Sequence, residues 1–301
     1  MVDAVKRNDG GKVKVAAAAM VLAVIIWGFS YVVTKLALNG EVPPLLVSAA
    51  GYTVGSVAGV PILIWKRKEL RRQGVLLEGA VLGAILAVAR DFQTVGCGLS
   101  TAGKNAFITA VYVVLTPVFM WILLKQKLTV KTMVTAMMAL AGIGLVSLNE
   151  SMTGINLGDV FTFLAAIGFA IHIVYNGRFA KRHDAVLLGI LQVDFAALFS
   201  IMIYLISIPV TGQGIPAAFF TAPMIGCICY SGVLGICIGF VLQSYGQRYV
   251  EQNKAAMILA MESVSGAIFS VICLHEIFSF RMIIGCVIIF AAIMLSTYQK
   301  K

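Results

Sequence analysis

The chain has 301 residues, of which 60% are apolar and 12% are charged, and its formal net charge is +10. A soluble globular domain has about 45–50% apolar and about 25% charged residues. A soluble core cannot bury this much apolar surface. The composition therefore excludes an ordinary soluble protein and predicts an all-α integral membrane protein.

Apolar segments of about 20 residues, the length of a helix that crosses a hydrocarbon core of about 30 Å, recur along the chain. In chain order we predict ten transmembrane helices, at 15–38, 45–65, 75–95, 105–124, 130–148, 157–178, 185–209, 223–246, 254–274 and 280–298. The loops between them are short, so we expect no folded domain outside the membrane. Residues 1–14 form a basic tail, and the first segment is too long for the apolar part of a cleaved signal.

Lysine and arginine residues concentrate in alternate loops. If the N-terminus is cytoplasmic, 19 of the 23 lie on the cytoplasmic side, and Lys35, Arg90, Lys104 and Arg281 are the exceptions. The positive-inside bias predicts a multi-pass protein of the plasma or inner membrane with both termini in the cytoplasm. The positive charge is explained by this orientation, and we expect no nucleic-acid partner.

One stretch of sequence occurs twice. FQTVGCGLSTAGKNAFI at 92–108 and LQSYGQRYVEQNKAAMI at 242–258 share 5 of 17 residues without a gap, where chance would give about one. Ten helices divide into two sets of five, and an odd number inverts the second set in the membrane. We therefore predict two inverted five-helix repeats, 15–148 and 157–298, a design that works by alternating access to a site near the midplane.

Four motifs carry a resemblance to a known family: WGFSYVVTK at 27–35, TAGKNAFITAVYVVLTP at 101–117, FAIHIVYNGRFAKRHD at 169–184 and NKAAMILAMES at 253–263. In their order and spacing the chain resembles the EamA-type family of the drug/metabolite transporter superfamily. The resemblance implies a ten-helix carrier, usually an exporter of amino acids or related small metabolites.

Two carboxylates are predicted to lie deep in the membrane. Glu262 and Asp194 are eight and nine residues from the starts of their segments, which is about 12–14 Å at 1.5 Å per residue. Ionisable groups at such depth are costly unless they face a cavity or a partner. We interpret Glu262 as a substrate-amine or proton site, and Asp194 as a weaker candidate for the same role. A structural hydrogen bond is the alternative for both.

Other polar and aromatic side chains are candidates for the substrate site. His172, Tyr175 and Asn176 share one helix face, and Trp27 and Tyr31 form an aromatic pair suited to an apolar part of a substrate. Core packing is the alternative for both groups. The remaining candidates, from the repeated stretch and the motif that follows it, are Gln93, Gln243 and Tyr112.

A group of charged and polar residues is predicted at the outer ends of the third and fourth helices. Arg90, Asp91, Lys104 and Asn105 are interpreted as an outer gate. The alternative is a set of interfacial charges that reach the headgroups.

The sequence has no motif for a hydrolase, a zinc protease or a phosphate-binding loop. Its six cysteines show no C-x-x-C spacing, and we expect no enzyme activity, cofactor or metal. Our first hypothesis is a secondary carrier, with protons as the candidate coupling ion and a homodimer as one candidate assembly. A receptor or accessory subunit that binds a small ligand without moving it is the second hypothesis, and an intramembrane enzyme is the third.

Overall fold

A computed structural model describes residues 2–100, 102–147, 156–274 and 280–297, and these ranges contain helices and turns but no β-strand. The helices of the first half are α1 (Val2–Asn39), α2 (Pro44–Trp65), α3 (Val75–Leu99), α4 (Ala102–Thr109), α5 (Tyr112–Leu124) and α6 (Val130–Ser147). The second half contains α7 (Leu157–Phe179), α8 (Ala185–Thr211), α9 (Ala222–Cys229), α10 (Gly239–Tyr249), α11 (Gln252–Ala260), α12 (Glu262–Leu274) and α13 (Phe280–Thr297).

Six segments of the described chain are long and apolar enough to cross a membrane. They are Gly11–Asn39, Pro44–Trp65, Asn105–Leu124, Leu157–Phe179, Ala185–Thr211 and Ala222–Tyr249. Val130–Leu145 and Ile283–Leu295 are shorter apolar helices. The chain is thus all-helical and membrane-embedded, while the count of ten spans stays a prediction.

Two segments predicted as single helices are interrupted. Ala110 and Val111 form a turn between α4 and α5, and Met261 forms a turn between α11 and α12. At both places backbone N–H groups bond to carbonyls three residues earlier, as in Met261 to Ile258 at 3.1 Å. Such tight turns inside a long helix often mark hinges. The two breaks lie 150 residues apart, the offset of the sequence repeat.

The first and third long helices of each half pack against the other half. α3 lies along α7, and α10 lies along α1. The glycines of the repeated stretch permit both contacts, because a methyl group on Gly96 would lie 2.7 Å from the Gly158 carbonyl and one on Gly246 would lie 2.6 Å from Met20 Sδ. Equivalent glycines therefore bring equivalent helices together.

Two further pairs complete the bundle. α2 packs against α8, and α6 packs against α13. A nine-residue π-helix, Tyr230–Ile238, joins α9 to α10 without a break in the helical path. Its residues pack against α1 and α2, so this wider helix forms part of the wall around the centre of the bundle.

We predict that Gly96→Ala destabilises the fold, because the added methyl group would meet the Thr162 hydroxyl and also the Gly158 carbonyl, a backbone atom that cannot rotate away. Overpacking of this kind costs about 1–3 kcal/mol. The matched control is Gly226→Ala on α9, where no atom lies within 4 Å of an added methyl group. Thermal unfolding in detergent should show a lower midpoint for Gly96→Ala and an unchanged or higher one for the control. Equal midpoints for the two variants would contradict this packing.

Candidate functional site

A central cavity lies between α1 and α3 of the first half and α7, the π-helix and α10 of the second half, with the two broken helices on its remaining side. Its empty space is about 860 Å³, including the space at its mouth. The lining comprises Trp27, Ser30, Tyr31, Thr34, Arg90, Gln93, Thr94, Cys97, Asn105, Tyr112, Phe169, His172, Ile173, Ser231, Gly235, Ile236, Phe240, Gln243, Leu259 and Glu262. Each half thus contributes its equivalent helices to one chamber.

Among the described residues of this lining, Glu262 is the one carboxylate. It directly follows the break between α11 and α12, and its side chain is only 8% exposed. The phenols of Tyr31 and Tyr112 lie 3.4 and 3.5 Å from Oε1, long distances for hydrogen bonds. No described residue donates to Oε2, so this oxygen is available to a group in the cavity.

Tyr112 occupies the corresponding place after the break between α4 and α5, 150 residues before Glu262. Tyr112 and Glu262 both line the central cavity. The contact between Tyr112 and Glu262 therefore lies at the centre of the bundle, where the two broken helices approach each other.

Arg90 is the positively charged residue of the lining. Its Nη1 donates to Gln93 Oε1 at 2.9 Å, and Gln93 Nε2 donates to Thr109 Oγ1 at 3.2 Å. Among the described residues, no carboxylate lies within ion-pair distance of the guanidinium. In the described part of the chain, the cavity therefore presents one cation and one anion that are not paired with each other.

Two amide oxygens in the lining are buried without partners among the described residues: Asn105 Oδ1 and Gln243 Oε1. The orientation of Asn105 is set by its Nδ2, which donates to the Gln93 carbonyl at 3.1 Å and to Thr162 Oγ1 at 2.8 Å. Leaving such an acceptor unsatisfied costs about 1–3 kcal/mol. Bound water or ligand N–H groups would remove this cost.

Aromatic rings form one wall of the cavity. The Trp27 and Phe240 rings are 5.3 Å apart, and Phe169 also lines the chamber. The Trp27 indole N–H donates to the Gly235 carbonyl of the π-helix at 2.7 Å. Trp27 therefore positions the π-helix as well as offering an apolar surface.

A buried chain of hydrogen bonds lies beside the cavity and connects α7, α8 and α10. His172 Nε2 and Gln192 Oε1 are 2.6 Å apart, and Gln192 Nε2 donates to Ser244 Oγ at 2.9 Å. Ser244 in turn donates to Asn176 Oδ1 at 3.0 Å, and Asn176 donates to Gln247 Oε1 at 2.5 Å. All five side chains are at most 1% exposed, so these bonds fill the space on this side of the cavity.

Ion pairs join the two halves at the end of the bundle where α2 ends and α8 begins, which we call the basic end. Lys66 Nζ lies 2.8 Å from Asp184 Oδ2. Glu78 contacts Arg182 at 3.2 Å and His183 at 2.9 Å, although the His183 contact lacks hydrogen-bond geometry. The charged residues of the α7–α8 turn are thus paired with charged residues of the first half.

Comparison with protein families identifies the chain. The profile of the EamA-like transporter family matches residues 14–148 and again residues 156–298. The chain belongs to the EamA-like transporter family. Its resemblance to that family in sequence motifs is confirmed by this match, and it is accordingly a multi-pass membrane protein of a transporter family.

Relatives of this EamA-like chain have transporter names. A protein of Archaeoglobus fulgidus named as an uncharacterized transporter is 25% identical over 95% of this chain and 87% of its own. The uncharacterized transporter YoaV of Bacillus subtilis is 24% identical over 91% of this chain and 94% of its own. A solved crystal structure has a TM-score of 0.74 and 19% identity over 94% of this chain and 96% of that chain, which shows a shared fold.

The EamA-like fold brings most of the predicted site residues into the cavity. Trp27, Tyr31, Arg90, Gln93, Asn105, Tyr112, His172, Gln243 and Glu262 all line it. Asn176 belongs to the buried bond chain, and Tyr175 stacks on Phe179 at 5.6 Å. Two of the predicted acidic residues do not line the cavity. Asp91 accepts a hydrogen bond from Ser200 at 3.3 Å, and Asp194 accepts one from Ser56 at 2.6 Å. Lys104 belongs to α4, but its side chain lies outside the described residues.

Sequence reasoning missed the small polar and apolar residues of the wall. Ser30 and Thr34 lie on the same face of α1 as Trp27, three and seven residues after it. Helical spacing from Trp27 could therefore have found them. Phe240 and Ser231 have no comparable signal, because the π-helix between them changes the helical register.

We predict that the charge of Asp184 stabilises the folded state at neutral pH. Burial tends to raise the pKa of Asp184, but hydrogen bonds from Lys66 and from the Leu187 N–H outweigh it and hold this pKa below its ordinary value. A lowered pKa contributes stability above the unfolded value of about 3.9, and this contribution is lost as the pH falls through the folded value. For a half-exposed ion pair we expect about 0.2–1 kcal/mol.

The variant Asp184→Asn keeps an oxygen that can cap α8 and removes only the charge. Unfolding in detergent at pH 7 should show Asp184→Asn as less stable than the parent, with the gap closing as the pH falls below about 3.9. Glu251→Gln, a change of an exposed glutamate, serves as the control for charge loss in general. A gap that is equally large in acid would show that the ion pair is not its cause.

Proposed function

We propose that this EamA-like protein is a secondary active transporter that exports amino acids or related amine-bearing metabolites by alternating access, driven by a proton gradient. The observation that carries the proposal is the cavity between the two halves, with Glu262 and Arg90 unpaired in its lining. The family and the names of its relatives support transport in general, and the substrate, direction and coupling are our proposal.

Several equivalences support two inverted halves. The family profile matches twice, at 14–148 and 156–298, close to the proposed repeats 15–148 and 157–298. In the proposed repeat α1 corresponds to α7 and α3 corresponds to α10, so the pair α3–α7 corresponds to the pair α10–α1. The two broken helices also correspond to each other. A site on the axis between inverted halves can be exposed to either side by rocking one half against the other.

The distribution of contacts supports one closed end. The buried bond chain and the ion pairs lie between the cavity and the basic end, which the positive-inside rule places in the cytoplasm. The described conformation then corresponds to a carrier closed toward the cytoplasm. Export requires that these ion pairs open when the cavity receives its substrate from that side.

The chemistry of the lining favours a zwitterion. Glu262 Oε2 suits an ammonium group, and the unpartnered oxygens of Asn105 and Gln243 suit further N–H donors. The free guanidinium N–H groups of Arg90 suit a carboxylate, which arginine binds well. Trp27 and Phe240 offer an apolar surface for a side chain. An α-amino acid carries all three kinds of group.

The test uses purified protein in liposomes and measures counterflow of labelled amino acids, with and without a pH gradient. Each amino acid is compared with its methyl ester, which lacks the carboxylate charge, and with its N-acetyl derivative, which lacks the ammonium. The parent protein should prefer the free amino acid, and a pH gradient should stimulate its accumulation. Flux of no compound would favour a receptor or accessory subunit.

We predict that Glu262→Gln weakens transport of the free amino acid and reduces its advantage over the N-acetyl derivative. Arg90→Gln should reduce the advantage of the free amino acid over its methyl ester. A charged hydrogen bond contributes about 1.5–3 kcal/mol, so each loss should be about 10- to 100-fold in apparent affinity. Glu251→Gln serves as the matched control and should transport normally. Unchanged selectivity in Glu262→Gln and Arg90→Gln would refute this assignment of the substrate groups.

A further inference from the structure

A second membrane carboxylate lies outside the central cavity. Asp194 is nine residues from the start of α8, and Ser56 is nine residues from the end of α2, so both lie about 14 Å from the basic end. Ser56 Oγ donates to Asp194 Oδ1 at 2.6 Å. The bond joins the first half to the second at mid-depth, at the contact between the two second helices of the repeats.

The surroundings of this pair are those of a lipid boundary. Asp194 and Ser56 are each half-buried, and their neighbours Leu198 and Val57 are 51% and 66% exposed. No described lysine, arginine or histidine lies within ion-pair distance of Asp194. A carboxylate charge inside a membrane is costly unless it faces a cavity or a partner, and a single hydroxyl compensates only part of this cost.

The other ionisable groups on the helices packed against α8 do not supply a counter-charge. Cys237 of the π-helix interacts electrostatically with Asp194 but carries no positive charge. On α3, Asp91 binds a serine of α8 farther along. Tyr52 on α2 donates to a carbonyl of α3, and Arg248 on α10 donates to a carbonyl at the basic end.

We propose that Asp194, held by Ser56, is the binding site of the coupling proton, separate from the substrate site at Glu262. The ligand is a proton rather than a metal cation, because hard cations require about six oxygen ligands and the pair offers one carboxyl and one hydroxyl. Among the described residues no cluster of three or more acidic, histidine or cysteine side chains could hold a metal ion.

The location gives the proton a means to affect conformation. A movement of one half against the other that shifts the α2–α8 contact would separate Ser56 from Asp194. The neutral acid tolerates this separation beside lipid, whereas the carboxylate requires water or a donor. Proton binding and release would therefore favour different arrangements of the two halves. This coupling rests on the proposed function, while the existence of the proton site does not.

The first experiment detects the protonated acid directly. Dicyclohexylcarbodiimide is lipophilic, and the carboxylic O–H adds across its C=N bond to give an O-acylisourea, which rearranges to a stable N-acylurea. Mass spectrometry of labelled protein should find this adduct on Asp194, increasing as the pH is lowered and absent in Asp194→Asn. A water-soluble carbodiimide should label Asp194 far less. Absence of the adduct at every pH would overturn the proton site.

The second experiment separates proton coupling from substrate binding. Asp194→Asn should retain counterflow of the free amino acid at equal pH on both sides and lose its stimulation by a pH gradient. Glu262→Gln should weaken both the counterflow and its stimulation by a pH gradient. Full stimulation in Asp194→Asn would overturn the coupling role. If the parent protein transports no amine, the proposed function fails, and labelling of the parent protein still decides the proton site. Ser56→Ala tests the bond without removing the acid and should weaken the gradient's effect.

Discussion

Close backbone contact between the halves is the constraint on which the rest of this structure depends. In a membrane, helices gain little from burying apolar side chains against each other, because lipid is equally apolar. Close packing at small residues is therefore decisive. Gly96 brings α3 against α7, and Gly246 brings α10 against α1. Through these two contacts each half packs a helix against the other half. The result is a chamber in the centre rather than a separate core in each half.

Polar groups inside this bundle fall into two classes. Those of the buried bond chain are satisfied by one another, as in the series from His172 through Gln192 and Ser244 to Asn176. Those of the cavity are not, as Asn105 Oδ1 and Gln243 Oε1 show. Buried polar groups in proteins are usually paired. Unpaired acceptors in the wall of a chamber are the physical basis for interpreting it as the place of a ligand.

The two membrane carboxylates have different environments, and this difference supports different roles. Glu262 lies at a helix break beside two phenols and lines the central cavity. Asp194 lies on an unbroken helix with one serine and lipid-exposed neighbours. The first environment can exchange polar partners as a substrate enters. The second environment has one polar partner and no described cation that would compete with a proton for the carboxylate. Our two proposals therefore assign substrate binding to Glu262 and proton binding to Asp194.

From the sequence alone one can predict the membrane class, the positions of the apolar segments and the importance of the repeated stretch around Gly96 and Gly246. These follow from local properties: segment length against bilayer thickness, and small residues where backbones approach. The breaks of two predicted helices at Ala110–Val111 and at Met261 are visible only in the folded chain, because a turn there is held by packing rather than by proline or by a glycine. Tertiary structure also decided that Glu262 faces the chamber while Asp194, at similar depth, does not. Depth depends on position along one helix, but the direction of a side chain depends on which helices surround it.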